Sequence, residues 1–163
     1  MKILYVVRHG NAENASLSDF ERSLTDVGMA EAKRAGDYLA AELTCVERIV
    51  SSDATRAKST AEQIACRLGK RDRIVLDHEI YDASLRDLLN VVHSFPDTAD
   101  VVVLVGHNPG LQDLINTLAP VHIRGVALST GTVAKIRLEI GAWAEARKGC
   151  GVLDFLLKHQ GVI

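Results

Sequence analysis

The chain has little of what would force an unusual architecture. Its 163 residues include only three cysteines and three prolines. Cys45, Cys66 and Cys150 form neither an even disulfide framework nor a C-x-x-C pair, which excludes a disulfide-stapled secreted scaffold. Reduced, partly buried thiols in a cytoplasmic protein are expected. Aromatic residues make up 4% of the chain, and the single Trp143 is too isolated to suggest a binding platform. A surplus of positive charge is also missing: 19 Lys and Arg stand against 21 Asp and Glu, a formal charge of -2. This argues against nucleic-acid and membrane-surface partners, so any positive potential must be local. The N-terminal apolar run Ile3-Leu4-Tyr5-Val6-Val7 is far shorter than the roughly 18 residues that span a bilayer. It meets Arg8-His9 with no small-residue cleavage site, and so reads as a buried strand and not a secretory signal. There is no internal repeat, low-complexity segment or linker. With 47% hydrophobic and 25% charged residues, residues 1–163 are expected to form one domain with a real core. No long apolar helical stripe is left over, and a monomer is expected.

What is present is an alternation of two periods. Thr25 to Leu43 carries Val27, Ala30, Ala35, Tyr38, Leu39 and Ala41 in a helical rhythm behind a Thr25 cap. Val46 to Val50 reads as a short strand, Thr55 to Leu68 as a helix closed by Gly69, and Ile74 to Leu76 as a weaker strand. Ser84 to His93 is a third helix. Val101 to Val105 has the continuous β-branched character of a central strand covered on both faces. A short fourth helix runs to Leu118, and Thr132 to Ile140 and Gly151 to Leu157 read as outer strands joined by a Gly-rich turn region. The pattern predicts a three-layer α/β/α sandwich with a mostly parallel central sheet.

In such a fold, ligands sit beyond the carboxyl ends of the strands. Three of those ends carry unusual polar groups: Arg8, His9 and Asn11 after the first, Ser51, Ser52, Asp53 and Arg56 after the second, Gly106, His107 and Asn108 after the long central one. Each has a plain structural reading as a surface or turn residue, and Ser52 reads most simply as a helix cap. Together they place two arginines and two histidines in one crevice. His78, His93, His122 and His159 show no metal-ligand spacing and read as surface or packing residues.

These elements resemble the histidine phosphatase superfamily, also called phosphoglycerate mutase-like. The resemblance rests on Arg8-His9-Gly10, on Leu24-Thr25-Asp26-Val27-Gly28, on Ser52-Asp53-Ala54-Thr55-Arg56 through Thr60, and on Gly106-His107-Asn108-Pro109. Order and spacing agree from about residue 1 to 118. The short length and the Gly-His-Asn-Pro form are most similar to the SixA-type phosphohistidine phosphatase branch, apart from Ser23, where that branch commonly has proline. The resemblance implies the phosphoglycerate mutase-like fold and a phosphatase with a phosphorylated histidine intermediate.

The chemistry follows from the residue types. A phosphoryl group carries about two negative charges, which call for fork-shaped cationic donors such as Arg8 and Arg56. His9, neutral and held through one ring nitrogen by a backbone carbonyl, can attack phosphorus. His107, protonated or strongly donating, would stabilise the equatorial oxygens. Asn11 and Arg22 are candidate phosphate or rim contacts. Neither metal nor cofactor is called for. A general acid is the open question: Glu79 and Asp82 are the candidates, with solvated loop carboxylates the alternative. A missing acid favours phosphohistidine, whose imidazole can leave without a strong acid, over sugar phosphates. The expected partner is therefore a phosphorylated protein, with a small phosphorylated substrate as the alternative. A phosphoryl-transferring mutase and a non-catalytic phosphate-binding module are the rival functions.

Overall fold

The apolar run after Met1 becomes strand β1 (Lys2–Arg8). The chain then passes through α1 (Asp26–Glu42), β2 (Arg48–Ser51), α2 (Thr55–Leu68), β3 (Ile74–Leu76), α3 (Leu85–His93), β4 (Val101–Gly106) and α4 (Gly110–Leu118). It ends in β5 (Val133–Leu138), β6 (Gly151–Lys158) and β7 (Gly161–Val162). The structure is a computed structural model and describes residues 1–14, 18–120, 128–158 and 161–162. His122 and His159 lie outside these residues.

The seven strands form one sheet in the order β3-β2-β4-β1-β5-β6-β7. From β3 to β1 all pairings are parallel; β5, β6 and β7 extend the sheet antiparallel from β1. The expected parallel sheet is thus its first half, and β5 is an inner strand between β1 and β6. Alternate residues of β1 and β4 face opposite layers, as a strand's period of two requires. Leu4, Val6, Val102 and Leu104 pack with α3 and α4, while Tyr5, Val7, Val103 and Val105 pack with α1 and α2. This makes the expected three-layer sandwich.

The local signals behave as their chemistry dictates. Thr25 Oγ1 accepts the Gly28 N–H at 3.0 Å, and Gly69, at φ 64°, ends α2 in the left-handed conformation. Ser84 and Asp87 form a reciprocal capping box on α3. The buried face of α1 is the expected one only in part: Ala35 and Leu39 are buried, Val27 is exposed, and Gly28, Glu31, Ala32 and Gly36 complete the stripe. Small residues win because α1 packs closely on α2, with Gly36 set against Arg67 and Ile64. Trp143 is fully buried in the turn between β5 and β6, and its indole donates to Ala99 O at 2.7 Å. It is a core residue. The thiols are less buried than expected: Cys45 and Cys66 are exposed, and all three cysteines are free.

One backbone contact carries the fold to the site. A methyl group on Gly28 would stand 1.9 Å from Asn11 O, and one on Gly10 would stand 2.3 Å from Gly28 O. The start of α1 therefore rests directly on the turn that follows β1, with no space for a side chain on either partner. Gly28→Ala is expected to cost about 1–3 kcal/mol through this overpacking. Thermal unfolding should show it as a Tm lowered by roughly 2–4 °C per kcal/mol.

Candidate active site

The register between β1 and β4 pairs Arg8 with Gly106, so the next residues, His9 and His107, leave the sheet side by side. Their ring centroids are 5.1 Å apart. β2 pairs Ser51 with Val105 on the other side of β4, and the turn after it delivers Arg56 in the first turn of α2. The three strand ends meet at a cavity of about 500 Å³. Its lining includes Arg8, His9, Asn11, Arg22, Arg56, Asp82, His107 and Asn108 from the sequence reading, joined by Asp19 and Tyr81. Glu79 lies on the exposed turn His78–Ile80 and is not in the lining.

His9 is 7% exposed and is held from both sides. Its Nδ1 is 2.7 Å from Gly10 O, and Arg56 Nε points at its Nε2 from 3.3 Å. A carbonyl can only accept and a guanidinium can only donate, which places the proton on Nδ1 and the lone pair on Nε2. Burial pushes the His9 pKa down to about 4, with Arg56, Arg8 and Arg22 adding to the effect against the Gly10 carbonyl. The ring is neutral at pH 7, as nucleophilic attack requires.

Of the two states expected for His107, protonated or strongly donating, burial disfavours the first in the ligand-free site. Burial, followed by the charges of His9 and Arg56, lowers its pKa to about 3, so the ring is neutral and not protonated in the ligand-free site. The Nε2 atom is 2.8 Å from Ser52 Oγ, and the buried Nδ1 has no hydrogen-bond partner among the described residues. Ser52 is correspondingly not the helix cap: the N-cap of α2 is Ala54, whose N–H donates to Ser52 Oγ at 3.2 Å. The hydroxyl ties the α2 turn to His107.

The arginines are positioned by backbone and carboxylate acceptors. Arg8 Nη1 donates to Leu128 O at 2.6 Å, and its buried Nε has no hydrogen-bond partner among the described residues. Arg56, 5% exposed, donates through Nη1 to Asp19 O at 2.6 Å and through Nη2 to Asp19 Oδ2 at 3.0 Å. Arg22 donates through Nε to Glu13 O at 2.6 Å and through Nη1 to Asp19 Oδ1 at 2.9 Å. Asn11 donates its backbone N–H to the buried Glu31 carboxylate and accepts from Thr25 Oγ1 at 2.8 Å. Asp19, Tyr81 and Glu31 were not singled out in the sequence: Asp19 and Glu31 do not directly follow a strand, and Tyr81, though it lies after β3 beside Asp82, is not a carboxylate. For Asp19 the available signal was its i, i+3 spacing to Arg22. Among the described residues no group of three or more His, Cys, Asp and Glu side chains is arranged to hold a metal ion.

A family model for the histidine phosphatase superfamily (branch 1) matches residues 4–94, which include Arg8, His9 and Arg56. The chain belongs to the histidine phosphatase superfamily. An uncharacterised Mycobacterium tuberculosis protein is 27% identical over 156 residues, covering 90% of this chain and 96% of its own. Among solved structures, the candidate phosphohistidine phosphatase SixA of Nakamurella multipartitia superposes with a TM-score of 0.84 at 24% identity, covering 96% of this chain and 95% of that one. The protein histidine phosphatase SixA complexed with tungstate gives 0.81 at 21% identity, with 96% of each chain covered. At these identities the structural likeness establishes the phosphoglycerate mutase-like fold. No helix among the described residues of this histidine phosphatase is long and apolar enough to cross a membrane.

The two depressed histidines set a pH dependence. Unfolding returns each ring to an ordinary pKa near 6.5, so between about pH 6.5 and the folded values of about 4 and 3 the unfolded chain binds more protons. Stability contributed by the neutral rings is complete above about pH 6.5 and falls as the pH drops through that window. Thermal melts from pH 7.5 to 4.5 should show a falling Tm, with a shallower slope in His107→Gln.

Proposed function

We propose that the protein is a phosphatase that removes phosphoryl groups through a phosphohistidine intermediate on His9, and that its substrate is phosphohistidine in proteins. The observation that carries this reading is the His9 ring: Nδ1–H anchored on Gly10 O, the Nε2 lone pair beside the Arg56 guanidinium, and both inside the cavity. Arg8 and Arg56 bind the phosphoryl oxygens, and Arg22 stands at the rim. The His9 Nε2 lone pair forms a bond to phosphorus as the bond to the leaving group breaks, and the leaving group departs with that electron pair. His107 stands next to the reacting ring, where negative charge accumulates on the equatorial oxygens. A phosphoryl dianion drives its pKa upward, so the donating state expected from its chemistry arises on binding. Water then attacks phosphorus, the electron pair returns to Nε2, and hydrogen phosphate is released. Each displacement is in line and depends on positioning and charge.

The choice of phosphohistidine rests on the shortage of a proton donor. Glu79 stands outside the cavity lining, His9 is neutral at pH 7, and His107 in its donating state serves the equatorial oxygens and not the leaving group. An imidazole protonated on its far nitrogen leaves without help from an acid. A second reading is supported by one observation: Asp82 lines the cavity, and as its acid would make the protein a phosphomonoesterase for small phosphate esters.

Phosphate release from a phosphohistidine-bearing protein and from p-nitrophenyl phosphate, both in EDTA, tests the proposal. His9→Ala should lower turnover by at least about a thousandfold and abolish the acid-quenched phosphoenzyme. Arg56→Lys should lower kcat/KM about a hundredfold, because an ammonium cannot serve His9, Asp19 and phosphate at once. Turnover undiminished in His9→Ala would refute the nucleophile assignment, and faster hydrolysis of small esters than of phosphohistidine would favour the second reading.

A further inference from the structure

The cavity contains a feature that phosphate binding alone does not call for, an anionic side chain. Asp19 lines it from the 3-10 turn Asp19–Glu21, and its carboxylate is 54% exposed. Of the roughly four lone-pair positions of a carboxylate, three are occupied. Oδ1 accepts from Arg22 at 2.9 Å, and Oδ2 accepts from Arg56 at 3.0 Å and from the Tyr81 hydroxyl at 2.9 Å. Among the described contacts one acceptor position on Oδ1 is open. Hydrogen bonds from Arg22 and Tyr81, followed by Arg56, hold the carboxyl well below the usual carboxylate range, so it has no proton to give. The Arg56 guanidinium spans from His9 Nε2 to this carboxylate, which places Asp19 one guanidinium away from the reacting nitrogen. An ionised carboxylate in that place repels phosphoryl oxygens. Its remaining capacity is to accept a hydrogen bond.

We propose that Asp19 is a specificity residue that accepts the N–H of an imidazole leaving group, on the ring nitrogen not bonded to phosphorus. This rests on the phosphohistidine reading above. An anionic acceptor keeps that far nitrogen protonated. When His9 Nε2 bonds to phosphorus, the phosphorus–nitrogen bond of the substrate breaks and its electron pair stays on the departing nitrogen. The departing group is then neutral imidazole carrying the proton it brought, and no proton passes to or from Asp19. A phenol or alcohol leaving group has no N–H to offer. Arg22, Arg56 and Tyr81 hold the carboxylate in place, and the three guanidinium groups in the lining outnumber its two carboxylates, Asp19 and Asp82, by one formal positive charge.

The test is the ratio of kcat/KM for 1-phosphoimidazole to that for p-nitrophenyl phosphate, in wild type and Asp19→Asn. Loosened arginines should lower both values in the variant, but the ratio should fall a further tenfold or so, about 1.4 kcal/mol. An unchanged ratio would overturn the proposal and leave Asp19 as a residue that only positions Arg56 and Arg22. Should the variant fail to fold, the unmodified chain supplies the same decision. N-phosphopyridinium has a nitrogen leaving group without an N–H, and wild type should favour 1-phosphoimidazole over it by about tenfold or more after division by the spontaneous rates. Equal rates would overturn the proposal. Turnover of p-nitrophenyl phosphate with none of 1-phosphoimidazole would instead refute the phosphohistidine reading, and the role of Asp19 with it.

Discussion

The buried guanidinium of Arg56 is the interaction on which the rest of the site depends. It is almost fully removed from water, yet it joins the His9 lone pair to the Asp19 carbonyl and carboxylate. A buried charge is tolerable only when its donors are satisfied, and here the satisfying groups are the candidate nucleophile and the loop that closes the cavity. The same positive charge, added to burial, keeps His9 neutral. Geometry and protonation state therefore have one physical source.

That arrangement needs a scaffold that brings distant segments into register. The parallel pairing of β1 with β4 and of β4 with β2 sets His9, His107 and Arg56 around one crevice. The rigidity behind it is ordinary packing: β4 is buried on both faces between two helix layers. At the mouth, the close approach of Gly10 and Gly28 docks the α1 helix onto the turn carrying His9. Membership of the histidine phosphatase superfamily agrees with this construction, because the matched residues 4–94 span β1, β2 and the start of α2 that carry Arg8, His9 and Arg56.

Much of this was legible in the chain. Alternation of apolar periods located the helices and strands to within a residue or two, since caps such as Thr25, Ser84 and Gly69 act locally. Arg8, His9, Arg56 and His107 stood out together, because three separate strand ends would each have to place a phosphate-suited side chain there by accident, although each alone has a plain structural reading. Asp19 and Tyr81 did not, because a sequence separation of 62 hides a hydrogen bond that forms only when the loop and the turn fold over the same opening.

Local chemistry, then, was determined by the sequence alone: where helices begin and end, which strand is buried on both faces, and which side chains suit a phosphoryl group. Partners and protonation were decided by the tertiary structure. Ser52 was free to cap a helix in the sequence, yet its hydroxyl meets His107, and of the two states open to His107 burial beside His9 and Arg56 disfavours the protonated one in the ligand-free site. The physical reason is range. Backbone preferences act over a few residues, whereas desolvation and hydrogen bonding depend on neighbours that only the folded sheet brings together.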